Sequence, residues 1–516
     1  MYAKFLITTG WVVTLAAMSF CQPVIAQNRW PPRVEAALQL AGDNRAELEK
    51  LLKVYQKNED DLKFKAACFL IENMPGHSYV KAGLLDKDGK QIPFDVLQYK
   101  SLGEAKQAQI ELEAQHGPLK FGRTEVVKDI ETVSADFLAE NIEAAFRTWR
   151  TTPWTKKMAF DAFCEYILPY RATNEPVETW RNECELETER VLAEIKDPSS
   201  WREAAAAVGK LNKHRVYFNQ LYYMHPTDQG FSQLCEKPIG RCEDQQTMQI
   251  YVMRANGIAV AGDYTPYWAN RDNNHAWEVL LDEQGQGRGG LFNRAAKIYR
   301  KTYSHNLDNL FFKNDGEEDI PKWLAGRTFR DVTSQYMPTT DVSIELTEPP
   351  PQVTQLAYIC VFNGGEWKPI HWCTIENNRA LFAGMGRNIA YLIGYFIDDK
   401  MVPAAPPFIL DADGKTSGLA ADFDRLGKWR LSKTKPAIKD DDLKTQLAEE
   451  KTTVGTTYEI MVWEKGWQSI GKQAVDPKDA TVLGQLPAGG FYWMVSDTNR
   501  QTARPFTIEK GKPRFW

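Results

Sequence analysis

The segment Gly240-Arg241-Cys242-Glu243-Asp244-Gln245-Gln246-Thr247 decides how the chain reads. Apolar positions continue from it at helical spacing through Met248, Tyr251 and Val252 to Ala255, and Asn256-Gly257 supplies a stop. The spacing predicts a helix with Cys242 in its first turn. Unpaired backbone N–H groups and the helix dipole gather positive potential there. Such a position favours the thiolate, the nucleophilic form. An unperturbed thiol, with a pKa of about 8.5, is mostly protonated at neutral pH. The Cys242 N–H is also placed to serve an oxyanion hole. Glu243 and Asp244 suit the same dipole, but their charges work against the thiolate.

Beyond the helix come the apolar run Ile258-Ala259-Val260-Ala261, then Tyr264, Tyr267 and Trp268, then Asn273-Asn274-His275-Ala276-Trp277-Glu278-Val279. Alternation puts His275, Trp277 and Val279 on one strand face. A histidine at a strand start beside a helix-N-terminal cysteine is suited to take the thiol proton and return it to a leaving amine.

These residues, Gly-Arg-Cys at 240–242, Met-Arg-Ala-Asn-Gly-Ile at 253–258 and Asn-His-Ala-Trp at 274–277, resemble the transglutaminase-like superfamily, whose core is papain-like. Recognisable text spans roughly residues 30–310 and takes the form of a long, exported, multidomain bacterial member. The resemblance implies acyl transfer through a thioester, with Cys242 as nucleophile and His275 as base and then acid, on a peptide, protein or amide substrate, and no cofactor. The superfamily's third residue, an acid or amide on the strand after the histidine, has no clear counterpart. The glycine-rich stretch 285–290 runs on to an expected helix over 295–303, and Asn293 is the nearest candidate to orient His275. Tyr264, Trp268 and Trp277 fit either a substrate cleft or a core.

The expected fold class is α+β. A signal peptide over 1–26 precedes a helical N-terminal region at 27–210. A transglutaminase-like core follows at 211–340, then β-sandwich-like modules at 345–435 and 453–516. Asn44 with Glu47 predicts a capping box, and the second helix runs from near Asp61 to Asn73. Ser134 is a further cap, and another helix starts near Ser199-Ser200 and continues through Ala204–Ala207. Strand-like runs at 356–362, 389–397 and 458–463 follow Pro349-Pro350-Pro351, and the charged stretch 433–453 reads as a linker.

Among 516 residues the formal net charge is −5, which gives no basic field for nucleic acid. One cation, an apolar run over 5–20 and Val24-Ile25-Ala26 read as a cleaved export signal, not a membrane span, with a lipoprotein at Cys21 as the lesser reading. Seven cysteines remain, without metal-ligand spacing, and a Cys235–Cys242 disulfide is the reading that blocks catalysis. Trp463, Trp467 and Trp493 suit a glycan platform or a sandwich core. Two functions therefore stand side by side: a cysteine peptidase or amidase, and a peptide- or glycan-binding protein that keeps the fold without turnover.

Overall fold

The computed structural model describes residues 29–516 apart from 58–59, 291–293, 315, 317, 351, 353 and 441–444. The expected signal peptide and Asn293 lie outside these residues. The protein is α+β, with helix and strand in nearly equal shares. Among the described residues no helix is long and apolar enough to cross a membrane.

Helices Pro32–Gln39, Arg45–Gln56, Asp61–Asn73 and Ala135–Thr151 form the first core. Leu48, Leu51, Leu52 and Tyr55 are buried on one face, as their spacing requires. Ser134 Oγ accepts the Phe137 N–H at 3.2 Å, the predicted cap. The predicted Asn44–Glu47 box is replaced by tertiary bonds. Asn44 donates to the carbonyls of Ile130 and Val133, and Glu47 accepts from the Ala135 N–H. This nominally helical region also contains a three-stranded antiparallel sheet, Gln91–Ile92, Ser78–Leu85 and Lys120–Lys128 in that order.

The central sheet has the order His275–Leu280, Val260–Thr265, Tyr299–Lys301, Phe329–Asp331, with every neighbour antiparallel. It is covered on both faces, which explains the unbroken run at 258–261. Ala259, Ala261, Val279 and Leu281 enter the N-terminal helical core. Ile258 and Val260 enter a second core with Met248, Ile250, Tyr251 and Val252 of the helix Cys242–Ala255. The helix expected over 295–303 is instead the strand Tyr299–Lys301. A short apolar run does not reveal its period, and here alternation wins: Tyr299 pairs with Tyr264, and Arg300 with Asp263.

The remainder is strand-rich. One antiparallel sheet of eight strands contains Leu356–Asn363, buried throughout, and Ile389–Ile397, buried except at Phe396. A five-stranded sheet closes the chain. The described residues of the expected linker 433–453 include paired strands: Lys433–Lys435 pairs with Glu450–Lys451, and Ile438–Asp440 with Thr445–Leu447. Asp422–Leu431 pairs with Val482–Ala488, so the strand pairing crosses the expected boundary at 435. Trp463 and Trp493 are buried and Trp467 packs against them, with Phe362 and Trp367 on the neighbouring sheet. These three rings fill a junction between sheets.

Candidate functional site

Cys242 is the first residue of the helix Cys242–Ala255, as predicted. The turn into the helix is held by Asp244, which is 2% exposed and whose Oδ2 accepts the Arg241 N–H at 2.7 Å. A Cβ on Gly240 would lie 2.4 Å from the Asp244 Cβ, so glycine lets this cap close. The Arg241 guanidinium donates to Asp228 Oδ1 at 2.9 Å. One turn along, the Gln246 amide donates to the Trp277 carbonyl at 2.5 Å and the Asp263 carbonyl at 3.2 Å, which docks the helix on the sheet. A Cβ on Gly262 would meet the Gln246 oxygen at 2.7 Å, so this docking too depends on a glycine.

Cys242 therefore approaches the sheet face that carries Gly262, Tyr264 and Ala276. Its sulfur donates to Glu243 Oε2 at 3.1 Å. Burial and the Glu243 charge push the thiol up to about 12, against a smaller opposing pull from the Ala276 N–H. Glu243 itself is held below the usual carboxylate range: burial opposes this, but the thiol bond and the Arg241 and Lys301 charges prevail. The pair rests as a neutral thiol on a carboxylate. Asn274 Nδ2 adds a long bond to Glu243 Oε1, at 3.4 Å.

His275 begins its strand as predicted, and its Cα partner is Thr265. Alternation sends its ring to the opposite face from Ala276. There it lies between Trp268, at 6.1 Å between centroids, and Trp277, at 5.5 Å, near-parallel to both. The thiol bond runs to Glu243, not to this imidazole. Behind Trp277 is a buried polar chain. Trp277 Nε1 donates to the Tyr336 hydroxyl at 3.0 Å, and that hydroxyl donates to Asp263 Oδ2 at 2.6 Å. Arg300 closes the chain on both Asp263 oxygens at 2.8 and 2.9 Å. Both members of the Asp263–Arg300 pair are fully buried.

The loop before His275 is held by distant segments that the sequence did not mark. Asn363 Nδ2 lies 3.0 Å from each of the carbonyls of Trp268, Arg271 and Asn273. The Gly364 N–H donates to Asp272 Oδ1 at 2.9 Å, and Arg504 donates to the Ala269 carbonyl at 2.7 Å. The loop is thus built partly from C-terminal residues.

Of the three aromatic residues expected at a cleft, Tyr264 lines a cavity of about 390 Å³ on the Cys242 face of the sheet. Trp268 and Trp277 are buried in a core with Tyr336. The exposed rings near the sulfur are others: Tyr223 and Phe218, 62% and 51% exposed, with their centroids 6.1 Å apart. Tyr217–Phe218 pairs with Ile239–Gly240 just before Cys242, and this two-residue parallel bridge has no sequence signature that would have revealed them. A second cleft, of about 330 Å³, runs past Asp228 and Arg241, and Asn174 lines both. The seven described cysteines are free, Cys235 and Cys242 included, and Cys235 Sγ instead lies 3.6 Å from His214 Nδ1. Among the described residues no three His, Cys, Asp or Glu side chains are grouped to hold a metal.

No protein-family model matches the chain, and no curated protein matches it.

Chemically, the site combines a half-buried thiol and a carboxylate that accepts its hydrogen bond, with the Ala276 N–H as a weaker influence favouring the thiolate. The neighbouring cleft at Asp228 and Arg241 has room for a ligand one residue away from Cys242. Nucleophilic attack requires the proton to leave, and at a pKa of about 12 the thiolate fraction at neutral pH is on the order of 10⁻⁵.

Proposed function

We propose that this chain is an exported protein of the transglutaminase-like type. It binds a peptide chain in the cleft beside Cys242 without turning it over in this arrangement. The observation that carries the reading is the Cys242–Glu243 bond: the thiol keeps its proton while the His275 ring stacks on the opposite sheet face. The clefts on either side of Asn174 and the exposed Tyr223 and Phe218 give an extended ligand somewhere to lie. In this reading residues 211–340 are the papain-type core and the strand-rich parts beyond are sandwich-like modules.

A protection experiment tests it. Cys242 is alkylated at pH 9 with iodoacetamide in the presence of a tryptic digest of serum albumin, and the labelled peptide is quantified by mass spectrometry. Slower labelling, with the digest recovered intact, is expected. No protection would contradict the binding reading.

One observation favours a second reading, a cysteine peptidase or amidase. Cys242 is free, opens a helix and stands near the Ala276 N–H, which favours the thiolate. Turnover would need Glu243 to release the thiol and the His275 ring to leave Trp268 and Trp277. The thiolate would then attack an amide carbon and expel the amine, and water would cleave the thioester. Cleavage of the digest that disappears in Cys242→Ala would establish this reading in place of the first.

A further inference from the structure

The cavity of about 390 Å³ sets cations beside aromatic walls. Arg171, Arg254, Lys301 and Arg327 all line it, and no carboxylate does. Two of the four cations are already satisfied. Arg171 is paired with Asp129 behind the wall at 2.6 Å, and Arg254 donates to the carbonyls of Tyr166, Pro169 and Arg171.

Lys301 and Arg327 differ. Among the described residues neither has a carboxylate within ion-pair distance. The Lys301 ammonium donates to the Thr173 hydroxyl at 2.8 Å. Arg327 lies over the Phe311 ring at 3.9 Å and beside Gly76, where a Cβ would come within 2.9 Å of its side chain. Both are half-buried, so their charges are screened less than those of fully solvated cations. Tyr264, Trp323 and Phe329 supply apolar wall beside them. A planar guanidinium and an ammonium facing one space, with aromatic walls, match a carboxylate attached to an apolar or aromatic group.

We propose that this cavity is a carboxylate-binding subsite. It takes the free terminal carboxylate of a peptide, or of an N-acylated amino acid, that ends in an aromatic or large apolar side chain, with Lys301 and Arg327 as the charged contacts. Asn174 connects it to the Arg241 cleft, so a chain end seated here extends toward Cys242. The proposal deepens the binding reading above and rests on it only for the statement that the ligand is a peptide.

The test is calorimetric titration of the full chain with N-acetyl-tyrosine and, separately, with N-acetyl-tyrosine amide. The acid is expected to bind at least tenfold more tightly than the amide. Lys301→Gln and Arg327→Gln should each weaken the acid tenfold and leave the amide unchanged. Unaltered thermal unfolding of the unliganded variants shows that they fold. If the acid binds there but the albumin digest does not protect Cys242, the peptide reading fails and the carboxylate site stands. Equal binding of acid and amide, or no binding of either, overturns the carboxylate site. So does displacement of the acid by inorganic phosphate at equal concentration, which would assign the cavity to a phosphorylated ligand.

Discussion

Glu243 Oε2 accepts the Cys242 thiol proton at 3.1 Å, and adjacent residues at a helix start thereby oppose the helix's own effect on its first cysteine. The dipole and the Ala276 N–H favour the thiolate, while burial and a carboxylate at hydrogen-bond distance disfavour it more strongly. Replacing Glu243 by Gln removes a negative charge and keeps the shape. The thiol pKa is then expected to fall by at least about one unit, and iodoacetamide labelling of Cys242 at pH 8 to rise about tenfold. An unchanged rate would show that Glu243 does not hold the proton.

The buried Asp263–Arg300 pair underlies the sheet that carries His275. Asp263→Ala leaves an uncompensated buried guanidinium and should cost about 3–5 kcal/mol in urea unfolding followed by Trp fluorescence. Adding Arg300→Met should recover part of that loss, because a packed apolar chain needs no partner there.

His77 gives a pH dependence with a definite sign. It is buried against Tyr303, with Nε2 2.9 Å from the Tyr303 carbonyl, and burial lowers its pKa to about 4. The unfolded chain binds the proton below about 6.5 and the folded one only below about 4, so the unfolded state gains protons first as pH falls. Stability is fully present above pH 6.5 and is lost progressively down to pH 4, by about 3 kcal/mol in all. His77→Gln should flatten the urea-midpoint profile between pH 7 and 4.5. A wild-type slope retained in the variant would assign the loss to other groups.

Asn363 ties the loop before His275 to the eight-stranded sheet. Asn363→Ala should destabilise by about 1–3 kcal/mol, since it leaves buried carbonyls without their donor. Limited proteolysis of this variant should open new cuts between residues 268 and 274. Absence of those cuts would mean that Gly364 and Arg504 hold the loop without it.

The sequence was most legible where a single period governs. The Cys242 helix and the strand starting at His275 ran as read, because helical spacing with an Asn-Gly stop and strict alternation each leave few alternatives. The strand Tyr299–Lys301 was read as a helix because the short run at 295–303 fits either period, and pairing with Val260–Thr265 settles it. The Asn44–Glu47 box failed for another reason: both side chains found tertiary partners about ninety residues away. At the site, residue types were readable but facing was not. The sequence placed Cys242 at a helix start and His275 at a strand start beside it. The opposite faces follow from the docking of Gln246 against Gly262, and the loop supports from Asn363 and Arg504 come from segments far along the chain.

The most direct test of the central claim is the pH dependence of Cys242 alkylation in the native chain, measured beside His275→Ala by mass spectrometry of the labelled peptide. A thiol held at about 12 by burial and Glu243 predicts a rate that still climbs above pH 10 and does not change with His275→Ala. A rate that levels off below pH 8 and is lost with His275→Ala would mean a thiolate–imidazolium pair, and would contradict the resting-thiol account.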